Sequence, residues 1–242
     1  MRVNNFKNSY EDNKRAIAYS KLEFPNTYYL AFRDIPEIIY EHVTGKKAVD
    51  FGCGTGRSTR FLKKHEFNTV GIDISQQMIE KAKEADPEGE YLIIKDGDFR
   101  RLKKNYYDLV FSAFTFDNIP DENYRIKLLK ELKSLINAEG IIILLDSTPD
   151  MYFYDWASFS TKDFQENKNV KSGGIVKIIT TDVEDNRHVD DILWTDEDYK
   201  NCFNDANLKL VSSYKPLGKE NEPFKWINET RVAPWIIYVL KK

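Results

Sequence analysis

The segment Ala48-Val49-Asp50-Phe51-Gly52-Cys53-Gly54-Thr55-Gly56 carries an apolar run straight into three alternating glycines, and the stretch Arg57–His65 that follows has helical character. Glycine has no Cβ, so such a loop can turn sharply and lie close against a small ligand. The pyrophosphate-binding pattern G-x-G-x-x-G, counted from Gly52, needs a third glycine at position 57, and the chain has Arg57 there. A second acidic residue, Asp73, ends the next apolar run Val70-Gly71-Ile72, 21 residues beyond Gly52. A carboxylate at that edge of a sheet can accept hydrogen bonds from both hydroxyls of a ribose.

These residues need a parallel sheet to position them. Between Lys46 and Asp146 short apolar runs alternate with longer amphipathic ones, the pattern of βαβ units. Strands are expected at Lys47–Phe51, Thr69–Asp73, Tyr91–Lys95, Asp108–Ala113 and Ile141–Asp146. Leu128, Leu132, Leu135 and Ile136 share one helical face, with Asp121 placed to cap its start and Gly140 following its end. Lys127, Lys130, Glu131 and Lys133 form its solvated side. The alternation breaks over 147–194, where Pro149, the aromatics from Tyr152 to Phe159 and the β-like run Ile175–Ile179 indicate an inserted helix plus hairpin. Thr195 is placed to cap a helix whose face holds Tyr199, Cys202, Phe203 and Ala206, and two strands, Lys209–Tyr214 and Trp235–Leu240, close the chain. Glu11–Leu22 and Tyr28–Val43 read as helices, the second interrupted at Pro36.

The order of these motifs resembles the class I S-adenosylmethionine-dependent methyltransferases, whose first motif is an acidic residue followed by alternating glycines. Asp50, Gly52, Gly54 and Gly56 fill that pattern, with Cys53 inside it. The resemblance implies a doubly wound α/β fold: a mostly parallel, seven-stranded, Rossmann-like sheet with its last strand reversed. Residues 1–242 then form one methyltransferase domain, with a helical cap at 1–45, a cofactor-binding core at 46–146, a substrate-side insertion at 147–194 and a closing helix and two strands at 195–242. It implies S-adenosyl-L-methionine as cofactor and S-adenosyl-L-homocysteine as product. By the same resemblance Asp50 lies near the cofactor's ammonium, Asp73 and Ile74 at the ribose, and Met78 on the adenine. In Asp96-Gly97-Asp98-Phe99, Asp98 meets the adenine amino group and Phe99 offers its backbone amide to the ring. Phe114, at the end of the fourth strand, passes under the cofactor. Tyr19 resembles the aromatic that closes over the methionine end in related enzymes, and Arg33 is a candidate to meet the cofactor carboxylate.

A sulfonium methyl group is already activated, so transfer mainly needs an acceptor atom held about 3 Å away and in line. A general base is required only where the acceptor must lose a proton early. Tyr19, Asp117 and His188 are the catalytic candidates: the first over the methionine end, the second just beyond the fourth strand, the third at a hairpin turn in the insertion. No metal is implied, because His42, His65 and His188 share no ligand spacing and neither Cys53 nor Cys202 has a Cys-x-x-Cys partner.

With 36 Lys+Arg against 39 Asp+Glu and a formal charge of −3, the chain gives no electrostatic argument for a nucleic-acid or membrane partner. Its one basic cluster is Arg100-Arg101-Leu102-Lys103-Lys104. No apolar run approaches the roughly 18 residues of a spanning helix, and two cysteines with no leader-like N-terminus suit a cytoplasmic protein. The expected acceptor is a small molecule and the expected state a monomer or homodimer. The insertion's aromatics, Tyr152, Phe153, Tyr154, Trp156 and Phe159, are expected to wall an apolar substrate pocket. Methylation of tRNA or protein, aminopropyl transfer, which would draw on Asp117 and Asp121, and cofactor binding without catalysis remain open at this point.

Overall fold

In a computed structural model, residues 13–95 and 97–242 are described; Asp96 and the side chain of Tyr19, both singled out above, lie outside the described residues. Three helices, α1 (Asn13–Ser20), α2 (Asn26–Arg33) and α3 (Ile35–His42), precede the alternating unit. That unit runs β1 (Lys47–Phe51), α4 (Arg57–Lys64), β2 (Asn68–Asp73), α5 (Gln76–Ala85), β3 (Glu90–Ile93), β4 (Tyr107–Ala113), α6 (Glu122–Leu135) and β5 (Ile136–Ser147). The inserted strands β6 (Phe159–Ser160), β7 (Ile175–Thr180) and β8 (Val189–Ile192) follow, and α7 (Asp196–Asp205), β9 (Lys209–Tyr214) and β10 (Trp235–Lys241) end the fold.

The main sheet has seven strands in the order β3-β2-β1-β4-β5-β10-β9. The pairs β2–β3, β1–β2, β1–β4 and β4–β5 are parallel, whereas β10 runs antiparallel to both β5 and β9, so the reversed last strand is present. Strand order reverses at β1 and β4, the position where open α/β sheets hold ligands beyond their strands' carboxyl ends.

Both faces of this sheet are covered, which explains why its central strands read as unbroken apolar runs. Along β5, Ile142 and Leu144 join the core under α6 and α7, while Ile141, Ile143 and Leu145 join the core under α2 and α3. Strand β10 repeats the alternation, with Ile236, Tyr238 and Leu240 on the first side and Trp235, Ile237 and Val239 on the second. The insertion covers the second side too, through Phe159, Val176, Ile178 and Val189.

Two expectations need correction here. Helix α6 ends at Leu135 and β5 starts at once, so Gly140 lies inside a strand and does not follow a helix. The register jumps from Tyr107↔Ile136 to Leu109↔Ile141, and in this bulge a Cβ on Gly140 would sit 2.8 Å from the Tyr107 carbonyl oxygen. In the insertion, short 3-10 turns at Pro149–Tyr152 and Gln165–Asn169 stand where a helix was expected, and the hairpin β7–β8 gains β6 as a third antiparallel strand. Pro36 does mark the restart into α3.

One buried carboxylate ties the cap, the insertion and the β9–β10 connection together. Glu229 is fully buried and accepts from Thr27 Oγ1 at 2.7 Å and from the amides of Ala157, Ile227 and Asn228 at 2.7, 2.8 and 3.0 Å. Trp235 adds an indole N–H bond to the Thr27 carbonyl at 2.8 Å.

Candidate functional site

Past the end of β1 the amides of Gly52 and Cys53 both donate to the Ile72 carbonyl, at 2.8 and 3.0 Å, so the glycine loop stays laced to β2. Gly52, Gly54 and Gly56 have φ of 71°, 52° and 80°, the left-handed region that favours glycine. Their surroundings differ. A Cβ on Gly52 would lie 2.1 Å from Thr115 Oγ1, and one on Gly56 would lie 2.7 Å from the Tyr91 hydroxyl. A Cβ on Gly54 would meet nothing within 4 Å, because that residue faces an open cleft.

Asp73, closing β2, holds the loop from the other side. Its Oδ2 accepts from the Gly54 amide at 2.8 Å and its Oδ1 from the Ser75 amide at 2.8 Å. Burial raises the Asp73 carboxyl above the ordinary carboxylate range, and the amides of Ser75, Gly54 and Ile74 oppose that shift. Ser75 then caps α5, accepting from the Met78 amide at 3.3 Å, which places Met78 on the cleft wall.

The cleft has a volume of about 1170 Å³ measured out to its mouth. Of the residues singled out in the sequence, Gly52, Cys53, Gly54, Asp73, Ile74, Met78 and Phe114 line it. Phe114 does so from a left-handed backbone (φ 58°) at the end of β4, a conformation rare for an aromatic residue, with its amide bonded to the Leu145 carbonyl at 2.8 Å.

The remaining selections fall elsewhere, each for a visible reason. Asp50 is fully buried beneath the loop, where its Oδ2 accepts from Ser58 Oγ at 2.7 Å and Thr59 Oγ1 at 2.6 Å, while Oδ1 has no hydrogen-bond partner. Burial pushes its carboxyl up to about 6 despite those two hydroxyls. Gly56 packs on Tyr91 and lies off the cleft wall. Asp98 sits on an exposed turn with both oxygens on the Arg100 guanidinium (2.8 and 2.6 Å), which holds it down at about 2. Phe99 is core, its ring 6.1 Å from that of Phe51. Arg33 turns away from the cleft to Asp34 (2.7 and 2.8 Å), Glu222 (2.8 Å) and the Leu217 carbonyl (2.9 Å), fastening the β9–β10 connection to α2. His188 is half-exposed beside Asp190 (3.4 Å) and lines neither this cleft nor the cavity beside it.

The arginine that does line the cleft is Arg57. It is buried, donates to the Glu23 carbonyl at 2.7 Å and lies 4.6 Å from the centroid of Tyr28. The only sequence signal for it was its place at the first helical position after the loop. Thr115, Asn118 and Tyr124 also line the cleft, and no motif marked them.

Phe114 and Asn118 are shared with a second, much smaller pocket that opens to solvent. Asp117 belongs to this cavity and not to the larger cleft. It is buried, accepts from the Ser147 amide and hydroxyl (3.1 and 2.7 Å) and the Tyr199 hydroxyl (3.2 Å), and burial pushes it up to about 6. Asp121 instead caps α6, accepting from the Tyr124 amide at 2.8 Å. Of the five aromatics expected to wall a pocket, Phe159 alone reaches the second cavity; Tyr152 and Trp156 are core, Phe153 packs against that core, and Tyr154 is exposed.

Residues 49–144 match the family model described as a methyltransferase domain. This segment is a methyltransferase domain of the class I S-adenosylmethionine-dependent kind. That family's cofactor is S-adenosylmethionine and its reaction is methyl transfer. The chain is similar to the demethylmenaquinone methyltransferase of Staphylococcus saprophyticus, 28% identical in an alignment 160 positions long that covers 53% of this chain and 67% of that one. The same enzyme of Staphylococcus aureus (strain MRSA252) is 33% identical over 109 residues, 43% of this chain and 44% of the relative. Among solved structures, the CcbJ methyltransferase of Streptomyces caelestis superposes with a TM-score of 0.67 at 15% identity, covering 98% of this chain and 99% of the other. An S-adenosylmethionine-dependent methyltransferase from Clostridium acetobutylicum gives 0.62 at 16% identity, covering 95% and 98%. At these identities the structural likeness is one of fold. Among the described residues no helix is long and apolar enough to cross a membrane.

Proposed function

We propose that this methyltransferase transfers the methyl group of S-adenosylmethionine to a small-molecule acceptor by in-line displacement, releasing S-adenosylhomocysteine. The observation that carries this reading is the bond from the Gly54 amide to Asp73 beside an open glycine face, at a cleft that adjoins a second, smaller cavity across Phe114.

The residues present suit the cofactor. Asp73 Oδ2 accepts from the Gly54 amide and Oδ1 from the Ser75 amide, and a carboxylate has acceptor capacity beyond these bonds for a ribose hydroxyl. Met78, Ile94 and Leu128 offer an apolar wall to the adenine, and the bare face of Gly54 leaves room for the methionine portion. Arg57 brings positive charge to the cleft for the cofactor carboxylate, the role the resemblance gave to Arg33. Asp50, with its unpartnered Oδ1, acts from beneath by fixing Ser58 and Thr59 at the start of α4.

When bound, the cofactor supplies a methyl group on a neutral thioether leaving group, so the protein's task is to place the acceptor in line and exclude water. Phe114 stands between the two spaces and would align them. Asp117, at the second cavity, would receive a proton from an acceptor that must lose one. The same arrangement supports residues 13–45 and 147–194 as cap and acceptor-side wall of one domain around the core. A tRNA acceptor finds little support, since in its one basic cluster Arg100 is paired with Asp98 and Lys103 lies over the Tyr106 ring.

Calorimetric titration with S-adenosylhomocysteine and, separately, NADH tests this reading. Binding of the first with no heat from the second is the expected result; the reverse pattern would overturn it.

A further inference from the structure

The smaller cavity combines two kinds of lining. Tyr28, Phe114, Phe159 and Trp235 supply aromatic side chains packed on one another, with ring centroids 4.9 Å apart for Tyr28–Phe159, 4.7 Å for Phe114–Trp235 and 5.7 Å for Phe159–Trp235. Asp117 and Asp191 supply carboxylates, and among the described lining residues there is no Lys, Arg or His. Asp191 accepts from the Tyr152 hydroxyl at 3.2 Å.

The surrounding charges do not balance this pair. Asp146, fully buried, adds a third carboxylate beside Asp117, and Asp190, 3.4 Å from His188 Nε2, adds negative charge beside Asp191. Against them stand Arg125, stacked between Trp194 and Tyr199 at 4.2 and 4.4 Å, and Arg15, which donates to Asp185 and to the carbonyl of His188. Burial, and then the charge of Asp117, push the Asp191 carboxyl well above its ordinary range. Carboxylates taken out of water are destabilised unless a cation pairs with them. Aromatic side chains around them favour the same partner, because ring faces attract cations. A neutral apolar acceptor, the expectation drawn from the aromatics alone, would bury both carboxylates without compensation.

From this we infer that the second cavity binds a small molecule carrying a basic amine, the ammonium held by Asp191 and Asp117 and the attached carbon frame by Tyr28, Phe114, Phe159 and Trp235. The inference rests on the proposed methyl transfer, and it narrows the acceptor to organic amines: the ammonium gives one proton to Asp117, and the freed nitrogen lone pair bonds to the methyl carbon as the carbon–sulfur bond breaks and neutral S-adenosylhomocysteine leaves. Asn118 and Phe114, which border both spaces, would set the amine against the cofactor cleft.

The test is calorimetric titration of the full chain, with and without saturating S-adenosylhomocysteine, using three probes of similar shape: 2-phenylethylamine, 2-phenylethanol and 3-phenylpropionate. The amine is expected to bind at least tenfold tighter than either of the others, and Asp191→Asn and Asp117→Asn are each expected to bring that preference below threefold. Equal or weaker binding of the amine, including no detectable heat from any probe, overturns the proposal, as does an unchanged preference in both variants. The probe comparison uses wild-type protein, so it stands even if a variant does not fold. S-adenosylhomocysteine binding without an amine preference defeats the amine site alone, whereas absence of S-adenosylhomocysteine binding defeats the methyltransferase reading itself.

Discussion

The Gly54 amide donates to Asp73 Oδ2 at 2.8 Å, so the turn after β1 and the carboxylate that ends β2 form one fixed corner of the cleft. Neither half keeps this shape alone: the loop needs an acceptor for its amide, and the buried carboxylate needs donors.

Gly52→Ala and Gly54→Ala should therefore separate stability from binding. Gly52→Ala drives a Cβ into Thr115 from a left-handed backbone and should lower stability by roughly 2–4 kcal/mol. Gly54→Ala meets no atom and should lower stability by only about 1 kcal/mol, while weakening S-adenosylhomocysteine binding tenfold or more. Thermal unfolding and calorimetry on both variants would show this; equal destabilisation of the two would contradict it.

Arg57 and Arg33 should behave oppositely. Arg57→Met removes the arginine that lines the cleft and should weaken S-adenosylhomocysteine binding tenfold or more, since a hydrogen bond to a charged group contributes about 1.5–3 kcal/mol and about 1.4 kcal/mol is a factor of ten. Arg33→Met should leave that affinity within about twofold and lower stability by roughly 1–3 kcal/mol through loss of the Glu222 and Leu217 contacts. Binding isotherms of the two variants decide between the arginines.

Asp50 makes stability depend on pH. Its carboxyl is raised from 3.8 to about 6 in the folded protein, so the folded state holds a proton that the unfolded chain has already released. Its contribution is therefore greatest below the unfolded value and falls as pH rises towards 6, by about 3 kcal/mol in all. Denaturant melts of Asp50→Asn between pH 4 and 6 should show a correspondingly smaller fall than wild type; parallel profiles would rule out this assignment of the burial penalty.

His188→Ala should leave S-adenosylhomocysteine affinity unchanged, within about twofold, because its imidazole sits half-exposed beside Asp190, away from both cavities. A tenfold loss would mean that the β7–β8 loop folds over the cleft in the complex.

The strands of the sheet could be read from sequence because both faces are buried: runs such as Ile141–Leu145 have no other stable use, and the glycines and Asp73 fall at strand ends that topology brings together. The boundary between α6 and β5 was hidden because Ile136 fits the helical face and the strand equally well, and the bulge that decides it depends on Tyr107 across the sheet. Within the site, backbone-determined positions such as Gly54, Asp73 and Met78 were legible. Long side chains were not. Arg33 and Asp98 each have a charged residue within two positions, Asp34 and Arg100, and local pairing took both away from the cleft. Arg57 and Arg125 are buried by aromatic rings contributed from distant segments, as are the hydroxyls on Asp117, and no local pattern announces such contacts.

The most direct measurement is calorimetric titration of S-adenosylhomocysteine into wild-type protein and Asp73→Ala, with Arg33→Met as the control for a charge removed elsewhere. Tight binding by wild type and the control, weakened at least tenfold by Asp73→Ala, is the predicted result, since two charged hydrogen bonds contribute about 1.5–3 kcal/mol each. Equal affinity in wild type and Asp73→Ala, or no binding by any of the three, would contradict the assignment of this cleft to the cofactor.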